Sequence, residues 1–143
     1  VRFALILLAM GLAGCAGKHH LAPKPSVTVS KLSLDFPERE RGELAFSLTL
    51  PEGAPAATEV AWELFLDGSR FATGLQGSLT QQPGSVDLQT TLVARHLGWR
   101  EGDGTLDVVI QGEVDFGRGE RLRFRERREV LVHGRPQLNI PRD

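Results

Sequence analysis

Beyond residue 26 the apolar residues fall on alternate positions over most of the chain. Leu44, Phe46, Leu48 and Leu50 are all even-numbered, and so are Val60, Trp62, Leu64 and Leu66. The same phase recurs in Val86, Leu88, Thr90 and Leu92, in Leu106, Val108, Ile110, Val114 and Phe116, and in Leu122, Phe124, Val130 and Val132. A period of two is the signature of a strand with one buried and one wet face. Near the start, Val27 and Val29 are followed by Leu32 and Leu34, a change of phase that predicts a bulge or an exposed kink. Asp67-Gly68 follows Leu66 and suits a tight hairpin turn with positive φ, which makes Phe71–Gly77 the return strand. Between Leu92 and Leu97 the spacing predicts a short helix, with Gly98 as its stop. Seven strands with short turns predict an all-β fold: a seven-stranded antiparallel β-sandwich, immunoglobulin/fibronectin-III-like, with one short helix. No internal repeat is present.

The polar positions of the last two strands carry a pattern of their own. Arg121, Arg123, Arg125 and Arg127 share one strand face, and Arg128 adds a fifth positive charge. Such a stripe suits an anionic surface or nucleic acid. The preceding strand, however, presents Asp107, Glu113 and Asp115 at odd positions. Because the apolar residues of both strands are even-numbered, the intervening turn must keep parity. A three-residue loop, Gly117-Arg118-Gly119, does so with a glycine in the left-handed region. That register sets Asp115 opposite Arg121 and Glu113 opposite Arg123, cross-strand pairs worth ~0.2–1 kcal/mol each. The stripe is then largely a solvated, self-paired face. Arg125 and Arg127, opposite Gln111 and Val109, are left as the candidates for anionic-surface contact. Glu126 and Arg128 fall on the nominal core face, and the pattern offers no account of them.

The N-terminus reads differently. After Val1 and the single basic residue Arg2, an apolar run from Phe3 to Met10 leads into Leu12-Ala13-Gly14-Cys15. The run is roughly ten residues, about half of what a helix needs to cross a bilayer, and it has the build of a secretory signal. Leu12–Cys15 resembles the lipobox of bacterial lipoproteins. The resemblance implies cleavage after residue 14, a diacylglycerol on the sulfur of Cys15 and an acyl chain on its new amine. Ala16, where related lipoproteins retained at the inner membrane carry Asp, favours the outer membrane facing the periplasm. Cys15 is the chain's one Cys, so it has no disulfide partner within the protein. Residues 16–25, Ala-Gly-Lys-His-His-Leu-Ala-Pro-Lys-Pro, form a polar, proline-bearing spacer that spans at most ~35 Å. The expected organisation is therefore a signal peptide at 1–14, a lipidated Cys and linker at 15–25, one β-domain at 26–135 and a tail at 136–143. Beyond the signal, 16 basic residues face 18 acidic ones, a balance that does not point to nucleic acid.

The strand pattern from Val27 to Gly134 resembles the WHy domain of the second group of late embryogenesis abundant proteins. The features that carry the resemblance are the Val-rich strand Val27–Leu34, the strand Gly42–Leu50 running into Pro51, and Val60–Gly74 with its Asp-Gly turn and closing glycine. Where family members carry Asn-Pro-Asn, this chain has Leu50-Pro51-Glu52. The resemblance implies a sandwich with one helix and a protective, interaction-based role under stress.

No catalytic constellation accompanies these features. There is no Gly-x-Ser-x-Gly elbow, no Ser-x-x-Lys and no phosphate-loop spacing. His19 and His20 lie in the spacer, too poorly placed for a preorganised metal site, and His96 and His133 fall near turns. Trp62 belongs to the apolar face. Trp99 either folds over the sheet or stands exposed as a binding anchor. The expected function is a non-catalytic, monomeric lipoprotein without cofactor or metal, held to the membrane through Cys15. It either shields client or envelope proteins under stress or serves as a structural subunit that recruits its partner by strand addition.

Overall fold

The structure, a computed structural model, describes residues 24–38, 40–93, 97–99, 103–133 and 136–138. Each long apolar alternation becomes a strand with its even-numbered face buried. The strands are β1 (Thr28–Glu38), β2 (Arg41–Thr49), β3 (Glu59–Leu66), β4 (Ser69–Gln76), β5 (Thr80–Gln82), β6 (Ser85–Val93), β7 (Leu97–Trp99), β8 (Asp103–Asp115), β9 (Arg121–His133) and β10 (Pro136–Leu138). Two four-stranded antiparallel sheets, in the orders β1-β2-β6-β5 and β4-β3-β8-β9, face each other. Lettered along the chain with β7 and β10 set aside, these are A-B-E-D and C′-C-F-G, the strand order of an immunoglobulin-type sandwich.

Two expectations need correction. The described residues contain no helix between Leu92 and Leu97. Leu92 and Val93 finish β6, where Leu92 continues the buried face, and Leu97–Trp99 pair with Pro136–Leu138. Leu92 and Leu97 themselves belong to strands, β6 and β7, and residues 94–96, on which the rest of the expected helix falls, lie outside the described residues. The main sandwich also has eight strands rather than seven. The addition is β5, three exposed residues without an apolar alternation to reveal it. Pro136–Leu138, within the expected tail, are the residues that pair with β7.

The finer register follows the sequence closely. The phase change in β1 is a bulge between Val29 and Lys31, after which Leu34 and Phe36 take over the buried positions. Asp67 and Gly68 both adopt positive φ, 46° and 85°, in a two-residue turn between Leu66 and Ser69. β8 and β9 pair Asp115 with Arg121 and Glu113 with Arg123, and Phe116 N–H donates to the Glu120 carbonyl across the three-residue loop.

The interior is apolar throughout the described residues, and both sheets contribute to it. At its centre the Phe46 ring stands 6.3 Å from Trp62, edge-on, and 6.0 Å from Phe124. Trp62 lies opposite Gly74 on β4 and Gly112 on β8, so it has a glycine on each side. A Cβ on Gly74 would overlap the Trp62 indole, and one on Gly112 would run into the Ala61 carbonyl and the Phe124 ring. Glycine in a strand interior is unfavourable in itself. Here it makes room for the largest side chain of the core.

Candidate functional site

The outer face of the β4-β3-β8-β9 sheet carries the arginine stripe. Period two puts Arg121, Arg123, Arg125 and Arg127 on that face, and the loop parity sets each against a β8 residue. Arg121 reaches Asp115 at 3.3 Å and Glu113 at 3.9 Å, while Arg123 reaches Glu113 at 3.1 Å. Arg127 does not stop at Val109 opposite. It reaches diagonally to Asp107 and grips it with two hydrogen bonds, from Nε at 2.9 Å and Nη2 at 3.0 Å. The hydrogen bonds from Arg127 hold the Asp107 carboxyl below its ordinary pKa, and the guanidinium charge adds to the effect; Asp107 in turn raises Arg127.

Of the two candidates for anionic-surface contact, Arg127 is thus committed to a bidentate pair and Arg125 is not. Arg125 is the member of the stripe with no ion pair among the described residues, and Gln111 lies opposite it. It borders an open depression whose lining includes Glu63, Thr73 and Gln111. Glu63 pairs with Arg70 at 3.5 Å. Carboxylates pair with all of the stripe's guanidiniums except Arg125, so the face can present hydrogen bonds to a protein or peptide but no concentrated positive field.

Glu126 and Arg128 owe their inward position to a neighbour in the other sheet. β9 and β1 are the edge strands on the same side of the sandwich. Arg128 crosses that seam, its Nη2 donating to the Val29 carbonyl at 3.0 Å while its Nε bonds Glu126 at 3.3 Å. Both side chains stay about one-third exposed, so the pair closes the seam without entering the core. The Gln81 side-chain amide makes a similar tie elsewhere. Its Nε2 donates to the Ala57 carbonyl and its Oε1 accepts from Ala57 N–H, both at 3.0 Å.

Across the opposite seam, β4 ends its sheet with no second strand partner among the described residues, and Leu75 on it is 64 % exposed. β5 pairs only with residues 85–87 of β6, so the rest of that β6 edge has no strand partner among the described residues. Gln76 Nε2 spans the gap to the Gln89 carbonyl at 3.4 Å. Trp62 Nε1 and Gln76 Oε1 are buried without a partner among the described residues.

Cys15, His19, His20 and His96 lie outside the described residues, and His133 ends β9. Trp62 is buried as expected, while Trp99 is the last residue of β7. Among the described residues no three His, Cys, Asp or Glu side chains come together as a metal site. Sequence reasoning passed over Gly112 and Gln81 and used Gly74 only as the closing glycine of a segment, not as room for Trp62; the two glycines, interior to apolar strands, were the available signal. Comparison with known proteins finds no matching family model, no matching curated protein and no matching solved structure.

Proposed function

We propose that this chain is a lipoprotein of the bacterial cell envelope, anchored through lipid on Cys15, whose WHy-like β-sandwich binds and shields proteins under stress. The lipobox-like Leu12–Cys15 at the end of an apolar run carries the anchoring half of the reading. Two or more lipid chains suffice for stable anchoring, and the processing pattern supplies them. The binding half is supported by the sandwich itself, whose interior is filled with apolar side chains and whose polar groups lie on faces and edges. Ala16 after the Cys favours the outer membrane. Lipid labelling tests the anchor. Cys15→Ser leaves an unprocessed, unlabelled precursor; normal processing and labelling of the variant refute it. Suppression of client aggregation during drying or freezing tests the protective role.

A second reading, a structural subunit that recruits one partner by strand addition, is favoured by the β4 edge, without a second strand partner among the described residues, and by its exposed Leu75. Recovery of one stoichiometric partner, lost in Leu75→Asp, selects it over general protection.

A further inference from the structure

The sandwich has two ends, and the first described residues, 24–27, lie at one of them, beside the Thr28–Thr49 pair. Pro25, Pro51, Ala54, Pro55 and Leu122 line an open cleft whose rim also carries the charged side chains of Glu52, Glu120 and Arg121. The cleft is held by short-range ties. Ala54 N–H closes a turn onto the Pro51 carbonyl at 3.1 Å with Gly53 at φ 74°, and Thr58 N–H donates to the Asp115 carbonyl at 2.8 Å. The Asp67-Gly68 turn lies at the opposite end, because β3 runs away from the cleft from Glu59 to Leu66.

We infer that this cleft end rests on the phospholipid headgroup layer of the bilayer that holds the Cys15 lipids, an inference that rests on the lipoprotein reading above. Three observations lead there. The spacer of residues 16–25, when relaxed, spans roughly 15–20 Å, whereas β8 alone, with 13 residues, runs ~40 Å. The tether therefore keeps the cleft end beside the membrane and the Asp67-Gly68 end away from it. The cleft is also suited to an interfacial contact. Its three prolines have no backbone N–H to desolvate, and its loop is already ordered, so docking costs little entropy. Finally, a short tether raises the local concentration of the bilayer to the millimolar range, so a weak contact is enough to be occupied. Lys24 and Arg118 at this end are offset by Glu52 and Glu120. Arg121, on the cleft rim, is paired with Asp115 and Glu113, so the contact joins polar and apolar groups at the interface rather than being driven by net charge.

The full-length lipidated chain in phosphatidylcholine–phosphatidylethanolamine vesicles tests this. With the Cys15 sulfur held in a thioether, Arg118→Cys and Ser69→Cys each provide the chain's one thiol for a fluorescent donor, and headgroup-labelled lipid is the acceptor. Energy transfer is expected to be several-fold stronger from position 118 than from 69, with little change between low and high salt. Equal or reversed transfer overturns the orientation. Ala54→Glu places a carboxylate in the cleft and should bring the position-118 signal toward that of 69. An unchanged signal means that the tether alone acts and overturns the contact. A signal that tracks protein density on the vesicle instead indicates a second copy in the cleft and also overturns it. If the protein does not float with vesicles and Cys15 titrates as a free thiol, the lipoprotein reading itself fails, an outcome distinct from every result obtained with a floating protein.

Discussion

Trp62 and Gly74 form a coupled pair whose energetics can be worked out from the packing. In an ordinary strand, Gly→Ala is worth about 0.5–1 kcal/mol of stabilisation through lost chain entropy in the unfolded state. At Gly74 the added methyl would overlap Cε2, Cζ2 and Nε1 of the Trp62 indole, which is 3 % exposed and packs edge-on with Phe46. Overpacking of this kind costs about 1–3 kcal/mol. Gly74→Ala alone should therefore destabilise by roughly 0.5–2 kcal/mol, a Tm drop of several degrees in a domain of this size. Trp62→Phe replaces the bicyclic indole by a smaller ring without Cζ2 and Nε1, two of the three atoms in the methyl's space, and Nε1 is a buried donor that has no acceptor among the described residues. In that background Gly74→Ala should become neutral or stabilising, giving a coupling of about 1–3 kcal/mol. Urea unfolding followed by far-ultraviolet circular dichroism, on the parent, both single variants and the double variant, measures it. Additive effects, within ~0.5 kcal/mol, would mean that the indole does not fill the space above Gly74 and would refute the account of the glycine.

Gly112→Ala should cost more, about 3 kcal/mol, and should not be rescued by Trp62→Phe, because its methyl meets the Ala61 backbone; the same unfolding assay reads it. Arg128→Met should destabilise by about 1–2 kcal/mol and selectively raise amide exchange around Val29, where the seam bond is lost; uniform exchange across β1 and β2 would argue against a local latch. The Asp107–Arg127 pair predicts a pH effect. Because Asp107 has a lowered folded pKa, its contribution is present above about pH 4 and fades as the pH falls through that lowered value. The stability difference between the parent and Arg127→Gln should follow the same course, with the Asp107 carboxyl titrating higher in the variant by NMR. A difference that persists unchanged into strong acid contradicts the assignment.

Most of the long strands were legible because one face is largely apolar, and a strand that slips by one residue would turn that face to water. The β8–β9 register followed from parity alone, since three loop residues keep the even positions of both strands inward. What the pattern missed shares one cause: it depends on a partner rather than on an apolar alternation of its own. β5 is three exposed polar residues that become a strand through β6. Leu97–Trp99 become one through Pro136–Leu138, which lie near the chain's other end. Glu126 and Arg128 violate the alternation because the position they face is occupied by the β1 edge rather than by core. Arg127 was matched to its direct neighbour, whereas a long side chain reaches the diagonal position as readily. Gly74 and Gly112 carry no hydrophobic signal at all, although they shape the pocket around Trp62.

The bulge in β1 also governs how the sandwich bears a mechanical load. A pull on the chain ahead of Pro25 enters through β1 and peels an edge strand from β2 one pair at a time, beginning at Thr28–Thr49 and Val29–Leu48. The next residue, Ser30, has no backbone partner in the ladder, so the peeling front arrives at the weakest point of the strand almost at once. Arg128 is bonded to the Val29 carbonyl at that point. It acts as a rivet from the opposite sheet, so a force able to strip two residue pairs must also draw a guanidinium out of the seam before the rest of β1 can unzip.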